Sequence, residues 1–419
     1  MGTGGEDGRR VLITGIGIVG PTGIGTQAFW QSLTRGQSGI QRISRFDPTG
    51  YPSQIAGEVR DRAYEQLIDP RKLRTTTHVT QLALAATELA LLDARIDTAW
   101  QEPDMVGTIM GTALGGLREA EQQHAILMER GARRVNPFIA NASPNYAVGA
   151  EIASAVNARG DQVIFSTGCP SSLQAIGHAA ALVASGDLDV CVAGGAESPL
   201  IPTVIAGMSR TQELSTHNDE PERASRPFDR QHAGLVLSEG SCVLVLESAE
   251  HAARRSAQPY AQILGSASSC DARGLYGLDA SGEQGARAVL RALTRSGLSF
   301  VDVDYVCSHA NSSPSFDRKE TGVIMKAFGN GAPRLLVSSI KGIIGHPFGA
   351  SGAFQTAATA LTIRHQLILP THNLEEPDPE CHLNHVLGEP LHAHVRNALI
   401  TSYGYGGVNA FLLLGEQSS

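Results

Sequence analysis

One cysteine lies where a thiol could act as a nucleophile. Cys169 belongs to the run Val163-Ile-Phe-Ser-Thr-Gly-Cys-Pro-Ser-Ser-Leu-Gln-Ala-Ile-Gly177, in which a strand-forming segment gives way to a helix-forming one. The first turn of a helix leaves backbone N–H groups unpaired, and its positive end favours a thiolate. Pro170 suits the first helical position, where its missing N–H costs nothing. We therefore predict that Cys169 is a nucleophile ionised at neutral pH; the alternative is a small core side chain.

Two histidines and a lysine follow at predicted strand ends, beside small residues that let backbone approach a ligand. His309 lies in Cys307-Ser-His-Ala-Asn-Ser-Ser313, and both Lys341 and His346 lie in Ser338-Ser-Ile-Lys-Gly-Ile-Ile-Gly-His346. A glycine-rich turn, Ser402-Tyr-Gly-Tyr-Gly-Gly-Val-Asn409, separates the last two predicted strands. These three segments join Cys169 as candidates for one catalytic site.

The elements that must position these groups alternate between strands and helices. Strand patterns at 105–110, 163–167 and 188–194 are interleaved with helical patterns at 76–92 and 147–156. Such alternation predicts a mainly parallel sheet covered on both faces. A similar order returns after about residue 255, which suggests a duplicated α/β unit.

Composition excludes several other classes of protein. The 419 residues carry a formal net charge of -8, which argues against nucleic-acid binding. No segment approaches the ~18 consecutive apolar residues of a membrane span. The six cysteines form no CxxC pair, so neither a metal site nor a redox motif is predicted, and free thiols fit a reducing cytoplasm. The polar first ten residues do not form a signal peptide, and a cytoplasmic protein is therefore expected.

A GxGxxG pattern is also present at Gly15, Gly17 and Gly20. In a dinucleotide site such glycines are followed directly by a helix that faces the pyrophosphate. Here Pro21 and further glycines delay the helix, so a nucleotide site is not predicted.

Taken together, the four motifs resemble those of β-ketoacyl-ACP synthases of the synthase II kind, which serve fatty-acid and type II polyketide systems. Those enzymes carry a cysteine at a strand-to-helix elbow, a His-Gly-Thr-X-Thr motif, a lysine followed by Gly-His and a Gly-Phe-Gly-Gly-Thr-Asn loop. The separations of 140 residues between Cys169 and His309, and 37 between His309 and His346, are similar to theirs. The similarity extends from about Arg10 to Leu414.

The resemblance implies an α/β thiolase fold with a five-layered αβαβα core. Two duplicated halves would comprise residues 10–255 and 256–416. It also implies a dimer and a decarboxylative Claisen condensation. Cys169 would hold the acyl chain as a thioester, and backbone N–H groups of Cys169 and of the loop at Tyr405 and Gly406 would form an oxyanion hole.

The same resemblance assigns roles around the enolate that forms when malonyl-ACP loses CO2. His309 and His346 would donate hydrogen bonds to it from their ring N–H groups. Lys341 would supply positive charge and orient His309, whereas Asp317 and Glu320 would hold that lysine. For the two carboxylates, capping of a helix is the alternative.

Further residues match family positions that bind substrate or carrier protein. Asn311 and Ser313 replace the threonines that contact the phosphopantetheine arm, so no separate cofactor is implied. The acyl pocket would include Leu114, Tyr403 and Tyr405. Docking of the acidic acyl carrier protein would use Arg71, Arg74, Arg133 and Arg134, for which a solvated surface is the alternative.

The sequence departs from the family pattern at several positions. His309 is followed by Ala-Asn-Ser-Ser in place of Gly-Thr-X-Thr. His232 and Ala233 replace an Arg-Asp pair, Thr77 replaces a helix aspartate, and Tyr405 replaces a gating phenylalanine. Loss of the Arg-Asp pair puts internal packing or dimer contacts in doubt.

These features favour a specialised ketosynthase. The segment Ser166-Thr-Gly-Cys169 is more similar to the corresponding segment of type II polyketide ketosynthase α subunits. Those subunits pair with a chain-length factor that lacks the cysteine. A homodimeric fatty-acid synthase II is the alternative with the same fold. A non-catalytic partner is disfavoured because Cys169, His309, Lys341 and His346 are all present, and a degradative thiolase because the C-terminal turn contains no second cysteine.

Overall fold

The computed structural model describes residues 8–417. Its strands are β1 (Val11–Gly20), β2 (Gly23–Ile24), β3 (Ile40–Arg42), β4 (Ile55–Gly57), β5 (Val106–Gly111), β6 (Gln162–Phe165), β7 (Val190–Glu197), β8 (Gly240–Ser248), β9 (Ala261–Cys270), β10 (Tyr305–Cys307), β11 (Leu336–Ser338), β12 (Leu367–Ile368), β13 (Asn384–His385), β14 (Leu391–His392), β15 (Asn397–Tyr403) and β16 (Val408–Gly415).

Its helices are α1 (Thr26–Arg35), α2 (Lys72–Thr75), α3 (His78–Ala94), α4 (Leu117–Arg130), α5 (Ile139–Ala142), α6 (Tyr146–Val156), α7 (Ser171–Ser185), α8 (Pro202–Arg210), α9 (Ala249–Arg254), α10 (Glu283–Arg295), α11 (Pro314–Phe328), α12 (Lys341–Ile344) and α13 (Ser351–His365). None of the helices between residues 8 and 417 is both long and apolar enough to cross a membrane.

The main sheet repeats one strand order in two halves. The first half runs β6-β5-β7-β8-β1 and the second runs β11-β10-β15-β16-β9, with the same pairing directions at corresponding positions. β1 pairs with β9 and joins the halves. The duplication inferred from element order is therefore present in the topology, while the boundary at residue 255 stays a prediction.

The expectation of a mainly parallel sheet was wrong. Parallel pairing is confined to the outer strands of each half, whereas β1, β8, β9 and β16 pair antiparallel with their neighbours. The long segment between β7 and β8 brings the chain back in the opposite direction. Apolar periodicity identifies a buried strand, but it carries no information on the direction of the neighbouring strand.

The layers follow the predicted αβαβα arrangement. Helices α7 and α13 pack against each other between the two halves of the sheet, while α3 and α6 cover one outer face and α10 and α11 cover the other. Residues Ser351 to Ile363 of α13 are all buried, as expected for a helix enclosed on every side.

The glycines of the GxGxxG pattern are explained by packing. A Cβ atom on Gly15 would lie 2.3 Å from the Ala90 carbonyl oxygen, and one on Gly17 would lie 1.9 Å from that of Ala86. These positions on β1 therefore allow α3 to pack directly against the strand. Because α1 begins only at Thr26, six residues after Gly20, no helix N-terminus directly follows this glycine run.

Candidate active site

Cys169 occupies the elbow between β6 and α7. Gly168 makes the turn with φ of 77°, a conformation that favours glycine. Pro170 is the N-cap of α7, one position before the predicted one. The Cys169 side chain is therefore placed at the first turn of a 15-residue helix, as the sequence indicated.

The protonation state of Cys169 differs from the sequence expectation. Burial raises the pKa of this thiol to about 12, the positive charge of Lys341 lowers it and Glu197 raises it further. The resting side chain is thus a thiol, because desolvation outweighs the favourable charges. His346 Nε2 lies 3.1 Å from Cys169 Sγ and can accept the thiol proton.

His309 and His346 form a buried pair beside the thiol. Their ring centroids are 5.2 Å apart and the rings are nearly perpendicular. Burial, followed by the charge of Lys341, lowers the pKa of both well below the ordinary value, so both rings are neutral. Within residues 8–417, both His309 ring nitrogens and His346 Nδ1 lack a hydrogen-bond partner. Buried polar atoms without partners cost ~1–3 kcal/mol each, which is characteristic of a site that receives a ligand.

Two carboxylates on the first turns of α11 fix the loop that carries His309. Glu320 accepts the N–H groups of His309 and Ala310, at 3.0 and 2.7 Å. Asp317 accepts the N–H of Asn311 at 2.9 Å. Within residues 8–417, no hydrogen bond joins either carboxylate to Lys341, but both negative charges act to raise the pKa of that lysine. The expectation that Asp317 and Glu320 hold Lys341 stays a prediction.

Lys341 instead reaches the backbone of the histidine loop. Its Nζ donates to the His309 carbonyl oxygen and lies 3.4 Å from Gln355 Oε1. Burial lowers the pKa of Lys341, while the negative charge of Glu320 acts in the opposite direction. Lys341 therefore lies close to His309, as predicted, and its contact is with the backbone carbonyl of His309.

Gln355 is a site residue that sequence reasoning missed. Its amide nitrogen lies 2.9 to 3.2 Å from the carbonyl oxygens of Cys307, Ser308 and Thr401, and its oxygen faces Lys341. The side chain thereby ties together the ends of β10 and β15. A long polar residue in a run of small ones at 349–363 was the available signal.

The glycine-rich turn after β15 packs directly on the cysteine elbow. A Cβ atom on Gly404 would lie 2.6 Å from Pro170 Cδ and 3.4 Å from the Cys169 nitrogen. The Gly406 N–H donates to the Leu275 carbonyl at 2.8 Å, so Gly406 is not an oxyanion donor and its predicted role there is corrected. The Tyr405 ring contacts Phe316, with centroids 5.3 Å apart.

The residues predicted for the pantetheine arm and the acyl pocket surround this centre. Asn311 is 1% exposed, and its Oδ1 accepts the Ser313 N–H at 3.1 Å, so its side chain closes a local turn. Tyr403 is fully buried against the His309 ring, with centroids 5.7 Å apart. Leu114 is half-buried, and its N–H donates to Glu197 at 3.1 Å. Contact of these residues with substrate stays a prediction.

Glu197 is a second group that the sequence did not indicate. This buried carboxylate accepts N–H groups from Ala113, Leu114 and Gly349. Burial raises its pKa to about 7, although those hydrogen bonds lower it. Glu197 therefore ties the segment after β5 to the one that follows His346.

The four arginines predicted for carrier docking are all exposed, and none forms an ion pair within the described part of the chain. Arg71 and Arg74 lie at α2, and Arg133 and Arg134 lie shortly before α5. A groove of about 300 Å³ between these segments is lined by Thr75 and Thr76 on one side and by Pro137 and Phe138 on the other.

Two family models match most of the chain. The family models described as Beta-ketoacyl synthase, N-terminal domain, and Beta-ketoacyl synthase, C-terminal domain, match residues 8–252 and 260–375. The chain belongs to the beta-ketoacyl synthase family. It is therefore an acyltransferase-type enzyme that forms carbon–carbon bonds.

Curated relatives of this beta-ketoacyl synthase come from both polyketide and fatty-acid systems. A putative polyketide beta-ketoacyl synthase 1 of Streptomyces halstedii is 38% identical over 97% of this chain and 98% of its own length. The 3-oxoacyl-[acyl-carrier-protein] synthase 2 of Coxiella burnetii is 37% identical over 97% of this chain and 99% of its own. The tetracenomycin ketoacyl synthase alpha subunit of Streptomyces glaucescens is also 37% identical, over 97% of each chain.

Solved structures agree with the thiolase-type fold. The ishigamide ketosynthase/chain length factor superposes with a TM-score of 0.90 and 28% identity, over 98% of this chain and 100% of that one. A type II polyketide synthase acyl-carrier protein in complex with its ketosynthase, AntDE:AntF, gives 0.88 and 29%, with the same coverage. These neighbours and the layer order confirm the predicted fold.

Proposed function

We propose that this enzyme is the catalytic ketosynthase of a type II polyketide or polyene pathway, which condenses a Cys169-bound acyl chain with malonyl-ACP. The observation that carries the proposal is the 3.1 Å approach of His346 Nε2 to Cys169 Sγ, beside His309, whose two ring nitrogens have no hydrogen-bond partner among residues 8–417. A nucleophile, a proton acceptor and a free N–H donor thus meet in one buried place. The polyketide relatives favour this pathway, and the fatty-acid relatives support a homodimeric synthase II as the alternative.

The first half-reaction loads the acyl chain. Cys169 Sγ attacks the thioester carbonyl of acyl-ACP while its proton passes to His346 Nε2. The backbone N–H groups of Cys169 and Tyr405 stabilise the oxyanion. The carbon–sulfur bond to the carrier breaks, and the departing pantetheine thiolate takes the proton from His346. The products are acyl-Cys169 and free carrier thiol.

The second half-reaction forms the carbon–carbon bond. The thioester oxygen of malonyl-ACP accepts N–H groups from His309 and His346, which stabilise the enolate left when CO2 departs. The enolate carbon then attacks acyl-Cys169, and the carbon–sulfur bond to Cys169 breaks. The released thiolate takes up one proton from solvent water, which regenerates the resting thiol and balances the loss of the malonyl carboxylate as CO2. Lys341 adds positive charge near the developing enolate through the backbone of His309.

The partners follow from the relatives and from the surface. Structures of relatives contain an acyl-carrier protein and a chain length factor, and we extend both partner types to this chain. β6 is an edge strand of the main sheet, and Tyr146, the first residue of the helix α6 that packs against β6, exposes a large apolar side chain. An open edge beside an exposed apolar side chain favours association with a second copy or a sister subunit. The cytoplasm is the proposed compartment, because six free thiols suit a reducing environment.

Intact-mass analysis after incubation with acyl-ACPs tests the proposal. The wild type is expected to gain one acyl group, Cys169→Ala none, and Cys270→Ala, which removes an exposed thiol, one. An adduct formed by the chain alone supports the homodimeric alternative, and one that requires a co-expressed sister chain supports the heterodimer. Condensation by Cys169→Ala at the wild-type rate would contradict the mechanism.

A further inference from the structure

A buried histidine outside the catalytic pair bridges two carboxylates. His232 Nδ1 lies 3.0 Å from Asp317 Oδ2, and His232 Nε2 lies 3.0 Å from Asp378 Oδ2. Its side chain is only 2% exposed, so water does not replace either contact. The proposed mechanism does not use this residue.

The geometry requires a proton on both ring nitrogens. A neutral imidazole carries one N–H and one lone pair, and ionised carboxylates only accept hydrogen bonds. Loss of the proton from either nitrogen would therefore place a lone pair 3.0 Å from a carboxylate oxygen. Burial acts to lower the pKa of His232, but hydrogen bonding to Asp317 and the charges of Asp317 and Asp378 outweigh it and raise that pKa. The two contacts and the direction of this shift both favour the imidazolium in the folded protein.

One of these carboxylates belongs to the framework of the catalytic loop. Asp317 Oδ1 accepts the Asn311 N–H at 2.9 Å, two residues beyond His309. Its other oxygen accepts the Phe228 N–H at 2.8 Å as well as the His232 ring. A repelled or displaced Asp317 would release the backbone that positions His309.

We propose that His232 is a positioning residue whose protonated ring holds Asp317, and through it the His309 loop, in the geometry needed for condensation. This inference rests on the proposed function. Because a histidine loses its charge within the accessible pH range and an arginine does not, the enzyme carries a pH sensitivity that an arginine at this position would remove.

Other charged groups around His232 do not substitute for it. Arg318, on the same helix as Asp317, donates to Asp378 at 3.0 and 3.1 Å and also pairs with Glu380. Cys381 and His385 also lie near Asp317. Burial raises the pKa of the Cys381 thiol and lowers the pKa of the His385 imidazole, so both side chains are neutral. The positive charge that contacts Asp317 from the loop after Phe228 is therefore supplied by His232.

The test compares pH profiles of the condensation step. Condensation of preformed acyl-Cys169 with malonyl-ACP is measured from mildly acidic to alkaline pH, in parallel with Cys169 acylation. We expect wild-type condensation to fall by up to about tenfold per pH unit above the pKa of His232. His232→Arg should keep the activity near neutrality and shift this decline to higher pH, because Arg retains its charge.

Two further variants separate positioning from general stability. His232→Gln, which stays neutral, is expected to slow condensation at every pH more than it slows acylation. His251→Gln, which alters another histidine–carboxylate pair at Glu247, should leave the profile unchanged. Lys341 affects the alkaline limb in all variants, so the difference between wild type and His232→Arg isolates His232.

The outcomes distinguish the two proposals. Two results would overturn the role of His232 and leave the proposed function intact. One is an active wild type whose pH profile coincides with that of His232→Arg. The other is an equal loss of acylation and condensation in His232→Gln. A wild type that forms no acyl adduct with or without a sister chain would overturn the proposed function, and this role with it. An imidazole NMR signal of His232 that titrates below neutrality would also refute the bridging imidazolium.

Discussion

At the scale of single residues, the site depends on groups whose partners the sequence does not reveal. Cys169, His309, Lys341 and His346 could be selected as candidates from their motifs, because each lies beside small residues near a strand end. Their protonation states could not, since desolvation depends on the elements packed around them. Gln355 could not be recognised from the sequence for a related reason. Its amide donates to three carbonyl groups that come together only in the folded sheet.

Glu320→Gln tests whether a carboxylate is needed to hold the histidine loop. An amide would place an NH2 group against either the His309 or the Ala310 N–H, where the carboxylate accepts both. We expect condensation to fall at least about tenfold and the free energy of unfolding to fall by ~1–3 kcal/mol.

Condensation kinetics and thermal unfolding measure the two effects of this substitution. Glu283→Gln, at an exposed carboxylate paired with Arg287, is the matched control and should change neither quantity appreciably. Wild-type condensation by Glu320→Gln would show that the two N–H contacts do not position His309.

At the scale of elements, the order of strands and helices along the chain was predictable from the sequence, whereas the direction of neighbouring strands in the sheet was not. Helices α3 and α6 and strands β5 and β7 lie within a few residues of their predicted bounds, because the apolar pattern of each is clear. The antiparallel centre of the sheet depends on how the chain returns between β7 and β8. That return is decided by tertiary contacts of the intervening segment and not by its periodicity.

Gly404→Ala tests the close contact between the C-terminal turn and the cysteine elbow. The added methyl group would meet Pro170 at 2.6 Å, so the turn must move away from the Cys169 amide. We expect Cys169 acylation to slow by about a hundredfold, the range seen when one oxyanion donor is lost, with the fold retained.

Rapid-quench mass spectrometry of the acyl adduct measures that rate. Gly207→Ala is the control, since a Cβ atom there meets nothing within 4 Å. That variant should keep the wild-type rate and gain stability of up to ~1 kcal/mol, because alanine favours the helix interior. Unchanged acylation in Gly404→Ala would exclude the turn from the oxyanion hole.

At the scale of the whole molecule, an acidic enzyme must receive an acidic carrier protein. The net charge of -8 disfavours their encounter, so local basic surface has to offset it. Arg71 and Arg74 are exposed beside a groove and lack carboxylate partners in the described chain, which fits this requirement.

The double substitution Arg71→Glu and Arg74→Glu is expected to raise KM for acyl-ACP by about tenfold, with kcat little changed. Reaction with a short acyl thioester that lacks the carrier should be unaffected, and the difference from wild type should shrink at high salt. Steady-state kinetics with both substrates provide the measurement. Arg334→Glu, on the second half of the chain, is the control, and an equal effect from it would argue against a defined docking surface.

The repeated strand order places the two parts of the candidate site at equivalent positions of the two halves. In chain order, Cys169 follows β6, the third of the five paired strands in the first half, whereas Lys341 and His346 follow β11, the third in the second half. Equivalent strand ends thus carry different side chains, so the two halves are alike in topology and unlike in chemistry. Exchange of one half for a second copy of the other would keep the strand order and lose either the thiol or the histidine and lysine.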